Sequence, residues 1–199
     1  MANDVTELVV IFDFSRQVGC AKQKRLDALI KTIEEQRHCG GKTLVTLYFI
    51  DANWLALNLY YREPLENIEI NDRIICLLSV FRNRDRCKKY SDRFLLGGLY
   101  GCTDETIDEI DAMHKAMKKD EVPQKTKFVI IAEGLYEWYR DRLHLGAKWL
   151  SILVKKINKY KSKGWQFLFP VESFHKAFTV FKKTSPSMLE ELKIMEYGY

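Results

Sequence analysis

A chain of 199 residues, 47% apolar and 30% charged, has the balance of one compact globular domain with a sizeable core, not of a disordered or fibrous chain. The net charge of +5 is mild, so acidic partners are permitted and nucleic acid is not required. Residues 1–7 are polar and acidic and no apolar run reaches bilayer length, so the sequence predicts neither a secretory leader nor a membrane span, and a cytoplasmic location.

Residues 8–12 are solidly apolar and rich in β-branched side chains, the pattern of a strand buried on both faces, and Asp13 ends it. Over residues 21–37, Leu26, Leu29, Ile30 and Ile33 recur at helical spacing until Gly40-Gly41. Residues 43–50 form a second strand. A turn at Asp51-Ala52-Asn53 leads to a third, in which Leu55, Leu57, Leu59 and Tyr61 alternate. So short a connector requires antiparallel pairing. Residues 73–96 read as an insertion, apolar over 74–80 and then basic through Arg82, Arg84, Arg86, Lys88, Lys89 and Arg93.

A helix is predicted over 104–119, with Asp104, Glu105 and Asp108 at its start and Lys115, Lys118 and Lys119 at its end, an order that suits the helix dipole. Residues 128–132 make another buried strand. Leu143, Ala147, Leu150, Val154 and Ile157 mark a long helix whose outer face carries Lys148, Lys155, Lys156 and Lys159, and Gly164 ends it. A strand over 165–169 and short helices over 172–181 and 187–195 complete the chain. This alternation gives one domain over 1–199: a three-layer α/β fold with a doubly wound, mostly parallel sheet, one antiparallel edge strand and helices on both faces.

Ligands of open parallel sheets gather beyond the carboxyl ends of the strands. Three polar segments are expected there. Asp13-Phe14-Ser15-Arg16-Gln17 follows the first strand, Gly101-Cys102-Thr103 stands immediately before the acidic helix, and Ala132-Glu133-Gly134 follows the 128–131 strand. Together they offer carboxylates, hydroxyls and a side-chain amide, hard donors that suit Mg²⁺ or a similar ion. Each also has a plain alternative, since Asp13 and Thr103 suit loop or N-cap roles and Gln17 and Glu133 suit a solvated loop.

These segments carry a family resemblance. Val9-Val10-Ile11-Phe12-Asp13-Phe14-Ser15, Gly101-Cys102-Thr103 and Phe128-Val129-Ile130-Ile131-Ala132-Glu133-Gly134-Leu135 resemble, in order and spacing, the three loops of the von Willebrand factor A (integrin I-like) family. Lys163-Gly164-Trp165-Gln166-Phe167-Leu168-Phe169 is similar to the fifth-strand segment of its small stand-alone bacterial members. The resemblance implies a site in which Asp13, Ser15 and Thr103 hold Mg²⁺ or Mn²⁺, with Gln17 and Glu133 in supporting positions. It also implies that an acidic side chain of a partner protein completes the coordination. Gln17 stands where the family has its second Ser and Glu133 where it has Asp, so the implied site is an altered one. A second alignment, on Asp111-Ala112-Met113, makes Thr106 the rim threonine instead.

No GxSxG, P-loop or GxGxxG motif is present. Five scattered cysteines (Cys20, Cys39, Cys76, Cys87, Cys102) contain no CxxC pair, so free thiols are expected in place of a disulfide scaffold or zinc site. The catalytic rival is a metal-dependent nuclease built on Asp13, Asp51, Asp104 and Glu133, and the basic 73–96 segment is the route to nucleic acid. Hydroxyl ligands favour binding over catalysis, because uncharged donors leave the ion able to accept a partner's carboxylate. Tyr136-Glu137-Trp138-Tyr139 are equally suited to anchoring a partner beside the rim and to packing under the long helix. His38, His114, His144 and His175 lack metal spacing and are expected at the surface or in caps.

Overall fold

The structure, a computed structural model, describes residues 4–13, 20–50, 57–68, 92–131 and 143–168, and side-chain surroundings within 4–12, 26–48, 62–68, 103–131 and 151–168. Strand β1 (Val5–Asp13) leads to helix α1 (Cys20–His38), then β2 (Lys42–Ile50) and β3 (Leu57–Pro64), which runs into a 3₁₀ turn at Leu65–Asn67. Helix α2 (Asp92–Ala116), β4 (Lys125–Ile131), α3 (Leu143–Lys161) and β5 (Gln166–Leu168) follow. The strands form one mixed sheet in the order β3-β2-β1-β4-β5. Every neighbouring pair is parallel except β2 with β3, which is antiparallel.

The α/β architecture with one antiparallel pair is the one expected from the alternation of patterns. Gly40, Gly41 and Gly164 all adopt positive φ, where the two helices that precede them must turn back into strands. Along β1 the side chains alternate between two environments. Leu8, Val10 and Phe12 join Val45, Leu47, Val129 and Ile131 from the neighbouring strands, and Leu26, Leu29 and Ile33 of α1, in one apolar cluster. On the opposite side of β1, Glu7 meets His114 of α2. There Phe128 of β4 stacks on Phe167 and Trp165 at ring centroid distances of 5.0 and 5.4 Å, and Trp165 lies 4.4 Å from the Tyr160 ring at the end of α3.

Three expectations are corrected. The helix expected from residue 104 begins twelve residues earlier, at Asp92, so Gly101-Cys102-Thr103 lies inside α2 and not before it. Asp104, Glu105 and Asp108 are therefore mid-helix residues, and a dipole at the first turn does not account for them. Gly97, Gly98 and Gly101 lie within α2, where each costs ~1 kcal/mol relative to alanine. The helix forms across them, and residues 92–96 belong to it, which shortens the expected insertion. Lys156, read as part of an outer face, is turned toward α2, where its Nζ stands 2.6 Å from Asp104 Oδ1 and 2.8 Å from Asp108 Oδ2.

The third correction concerns β3, which runs three residues past Tyr61. Tyr48 pairs with Leu59 and Leu47 with Tyr61, so two residues of β3 stand against one step of β2. Such a bulge reverses the alternation beyond it. Arg62 thereby pairs with Thr46 and joins the side of the sheet that carries Glu7. The turn at 51–53, the remainder of the 73–96 segment and the helices expected over 172–181 and 187–195 lie outside the described residues.

Candidate functional site

The chain crosses from β1 through α1 to β2 on one side of β1 and later returns to β4 on the other. Between β1 and β4 the winding therefore reverses, and in open α/β sheets this switch point is where a crevice opens beyond the carboxyl ends. Phe12 pairs with Ile131 there. Asp13 and Ile131 are thus the last described residues of two neighbouring parallel strands, one step apart in register. Asp13 is the last residue of β1. Ser15, Gln17 and Glu133 lie outside the described residues, as do Asp51 and Tyr136 to Tyr139.

Thr103 reaches the same height by another route. Helix α2 descends toward the amino end of β4, so it runs opposite to β1, and His114 Nε2 stands 2.5 Å from Glu7 Oε2. That contact sets the two elements against each other. Thr103 is eleven residues before His114, or ~16 Å toward the carboxyl end at the α-helical rise. Five strand residues carry β1 from Glu7 to Phe12 over about the same distance, ~17 Å. Thr103 is thus level with the end of β1. Thr106, eight residues or ~12 Å before His114, is level with Val10 and Ile11 of β1. Both are buried, at 1% and 0% exposure, and neither is an N-cap, because both sit inside α2. Of the two, Thr103 lies nearer the height of the carboxyl end of β1.

Among the described residues no cluster of three or more His, Cys, Asp or Glu side chains is arranged to hold a metal. The donors expected from the sequence are of another kind, a carboxylate at Asp13, the last residue of β1, and the hydroxyl of buried Thr103, with the other expected donors outside the described residues. Hard oxygen ligands of mixed charge fit Mg²⁺ or Mn²⁺ better than softer metals. Asp104, one of four carboxylates needed by the nuclease reading, is buried against Lys156.

The largest departure from the sequence reading is a buried charged cluster at the amino end of the sheet. Glu7 is fully buried. Its Oε1 accepts hydrogen bonds from Thr46 Oγ1 at 2.6 Å and Arg62 Nε at 3.0 Å, while His114 Nε2 faces Oε2. Burial alone pushes the Glu7 carboxyl up. The hydrogen bonds from His114, Arg62 and Thr46, with the Arg62 charge, outweigh it and hold the carboxyl below its ordinary 4.5. His114 is therefore a half-buried partner of Glu7 and not a surface or capping residue, with Trp165 edge-on at 5.6 Å. His38, in contrast, is exposed at the end of α1, with Nδ1 2.7 Å from the Glu34 carbonyl, as expected. The signal available in the sequence was phase: Glu7 falls on the same side of the strand as Val9 and Ile11.

Nearby, the Tyr48 hydroxyl is buried, and burial followed by the charges of Glu109 and Glu7 raises its pKa strongly. Cys39 is exposed and free. No helix of the described residues is long and apolar enough to cross a membrane. No protein-family model and no curated protein matches the chain.

Proposed function

We propose that the chain is a von Willebrand A-like binding module, a three-layer doubly wound domain that engages a partner protein at the carboxyl-end rim between β1 and β4. The observation that carries this reading is the winding reversal, with Phe12 paired to Ile131 and Asp13 closing β1 at that point. In this reading Asp13, Ser15 and Thr103 hold Mg²⁺ or Mn²⁺, and Gln17 and Glu133 support them from the adjoining segments. The ion, when bound, supplies a positive centre that attracts a carboxylate of the partner. The chain's own contribution is to hold the donors in place. Asp13 does so from a strand end paired with Ile50 of β2, one residue beyond the Phe12–Ile131 pair, and Thr103 from a helix interior. A neutral hydroxyl leaves the ion's charge less compensated than a second carboxylate would, which favours capture of an acidic ligand over storage of the metal.

Calorimetric titration with Mg²⁺ and with Mn²⁺ tests this. Wild type is expected to give saturable heat, and Asp13→Ala is expected to abolish it. Absence of heat in both proteins, or equal heat in both, rejects the rim as an ion site.

A further inference from the structure

The two sides of β1 are built from different materials. Toward α1 the buried side chains are mostly apolar, with one buried side-chain hydrogen bond, from Gln36 Nε2 to Thr43 Oγ1 at 3.2 Å. Toward α2 the buried residues include Glu7, Thr46, Thr103, Asp104, Thr106 and Thr126, with the Arg62 and His114 side chains, 23% and 10% exposed, closing around Glu7. An apolar contact tolerates sliding at small cost, because it has no directional partners. A charge-assisted hydrogen bond does not. His114 accordingly gives α2 a directional contact with β1 at Glu7, beside the apolar packing of Ile107 and Ile110 and the Lys156 ion pairs. Three elements converge on this carboxylate: β2 through Thr46, β3 through Arg62 re-aimed by the bulge, and α2 through His114. Arg62 Nη2 also lies 3.9 Å from Met117 Sδ, just past the end of α2.

Since α2 is one continuous helix from Asp92 to Ala116, fixing its height at His114 fixes its height at Thr103. We infer that Glu7, Arg62 and His114 are positioning residues for the rim, setting from the opposite end of the sheet the height at which Thr103 meets the end of β1. The inference rests on the rim being the binding site. The cluster touches no ligand; its effect travels through a continuous helix with a part-buried hydrogen bond to Glu7 at one end and a candidate ligand at the other.

The test compares wild type with His114→Phe, which keeps the ring against Trp165 but removes the hydrogen bond, and with His114→Gln, which restores a donor. Two readouts are taken on the full chain: amide hydrogen exchange along α2, β1 and β4, and Mn²⁺ affinity by calorimetry. In His114→Phe, α2 amides over 103–114 are expected to exchange about tenfold faster while those of β1 and β4 are unchanged, as for a local release. Mn²⁺ affinity should fall about fivefold or more, and His114→Gln should recover most of both losses. Unchanged α2 exchange overturns the inference, as does equal acceleration in β1 and β4, which marks a role in general stability. Faster α2 exchange with full Mn²⁺ affinity also overturns it and leaves the rim reading standing. Wild type that gives no heat with Mn²⁺ overturns the claim that the cluster positions an ion site, together with the ion reading, whatever exchange shows.

Discussion

Glu7 sits in the first turn-free stretch of the chain, in a segment whose polarity resembled a solvated terminus, yet it is among the most completely buried residues of the protein. A carboxylate in that position persists because three donors from three elements replace its water. Removing its charge leaves Arg62 and His114 facing a neutral amide, so Glu7→Gln is expected to lose about 3 kcal/mol of unfolding free energy at neutral pH by urea titration. The pH dependence has a definite sign. Because the folded carboxyl titrates below its ordinary 4.5, the stabilisation is complete above that value and is lost as pH falls through the lower, folded pKa. Wild type should therefore lose stability below about pH 4.5 more steeply than Glu7→Gln. Tyr160 provides a second titration marker. Burial first, then the hydrogen bond to Asp111, pushes its phenol up to about 12, so a Tyr160→Phe variant should lack one late step in the alkaline absorbance titration.

At the scale of elements, the parallel strands and α1 were legible because their patterns are unmixed: an apolar run for β1, a 3.6-residue stripe for α1, and glycine stops confirmed by positive φ. Helix α2 was only half legible. Its first three turns contain three glycines, and its acidic middle mimics a helix start. What the acidic residues answer is not the dipole but α3, through Lys156 on Asp104 and Asp108 and Lys163 Nζ 3.8 Å from Asp111 Oδ1. A single sequence has no marker that two segments 52 residues apart carry complementary charge on facing sides. Lys156→Met is expected to cost about 2 kcal/mol, because Asp104 stays buried without its cation. Lys155→Met, one residue away and exposed, should change stability by less than about 0.5 kcal/mol. Equal effects in the two variants, measured by the same denaturation, would mean that the α2–α3 pairing is not held by this lysine.

Across the described residues, the molecule is a five-stranded mixed sheet with a mainly apolar cluster on the α1 side of β1 and, on the α2 side, a directional contact at Glu7 beside apolar packing. Its core is conventional, so Leu29→Ala, at 1% exposure within the α1 cluster, should cost about 3 kcal/mol with the fold retained. What was legible at this end of the sheet is the strand ends, for a physical reason: carboxyl ends of parallel strands are found by following apolar runs to their first polar residue, which placed the end of β1 at Asp13, while Ser15, Gln17 and the 132–134 segment lie outside the described residues. Thr103 was singled out on a mistaken helix boundary, and its place at rim height follows from the Glu7–His114 contact, which no local pattern encodes. Paramagnetic broadening of backbone amide signals by substoichiometric Mn²⁺ tests the central claim most directly. The account predicts that amides at Asp13, Thr103 and Ile131 broaden first and together, while those near Glu7 and Lys125 at the far end of the sheet stay sharp. Broadening centred on the amino end, on the outer acidic residues of α1, or nowhere would contradict it.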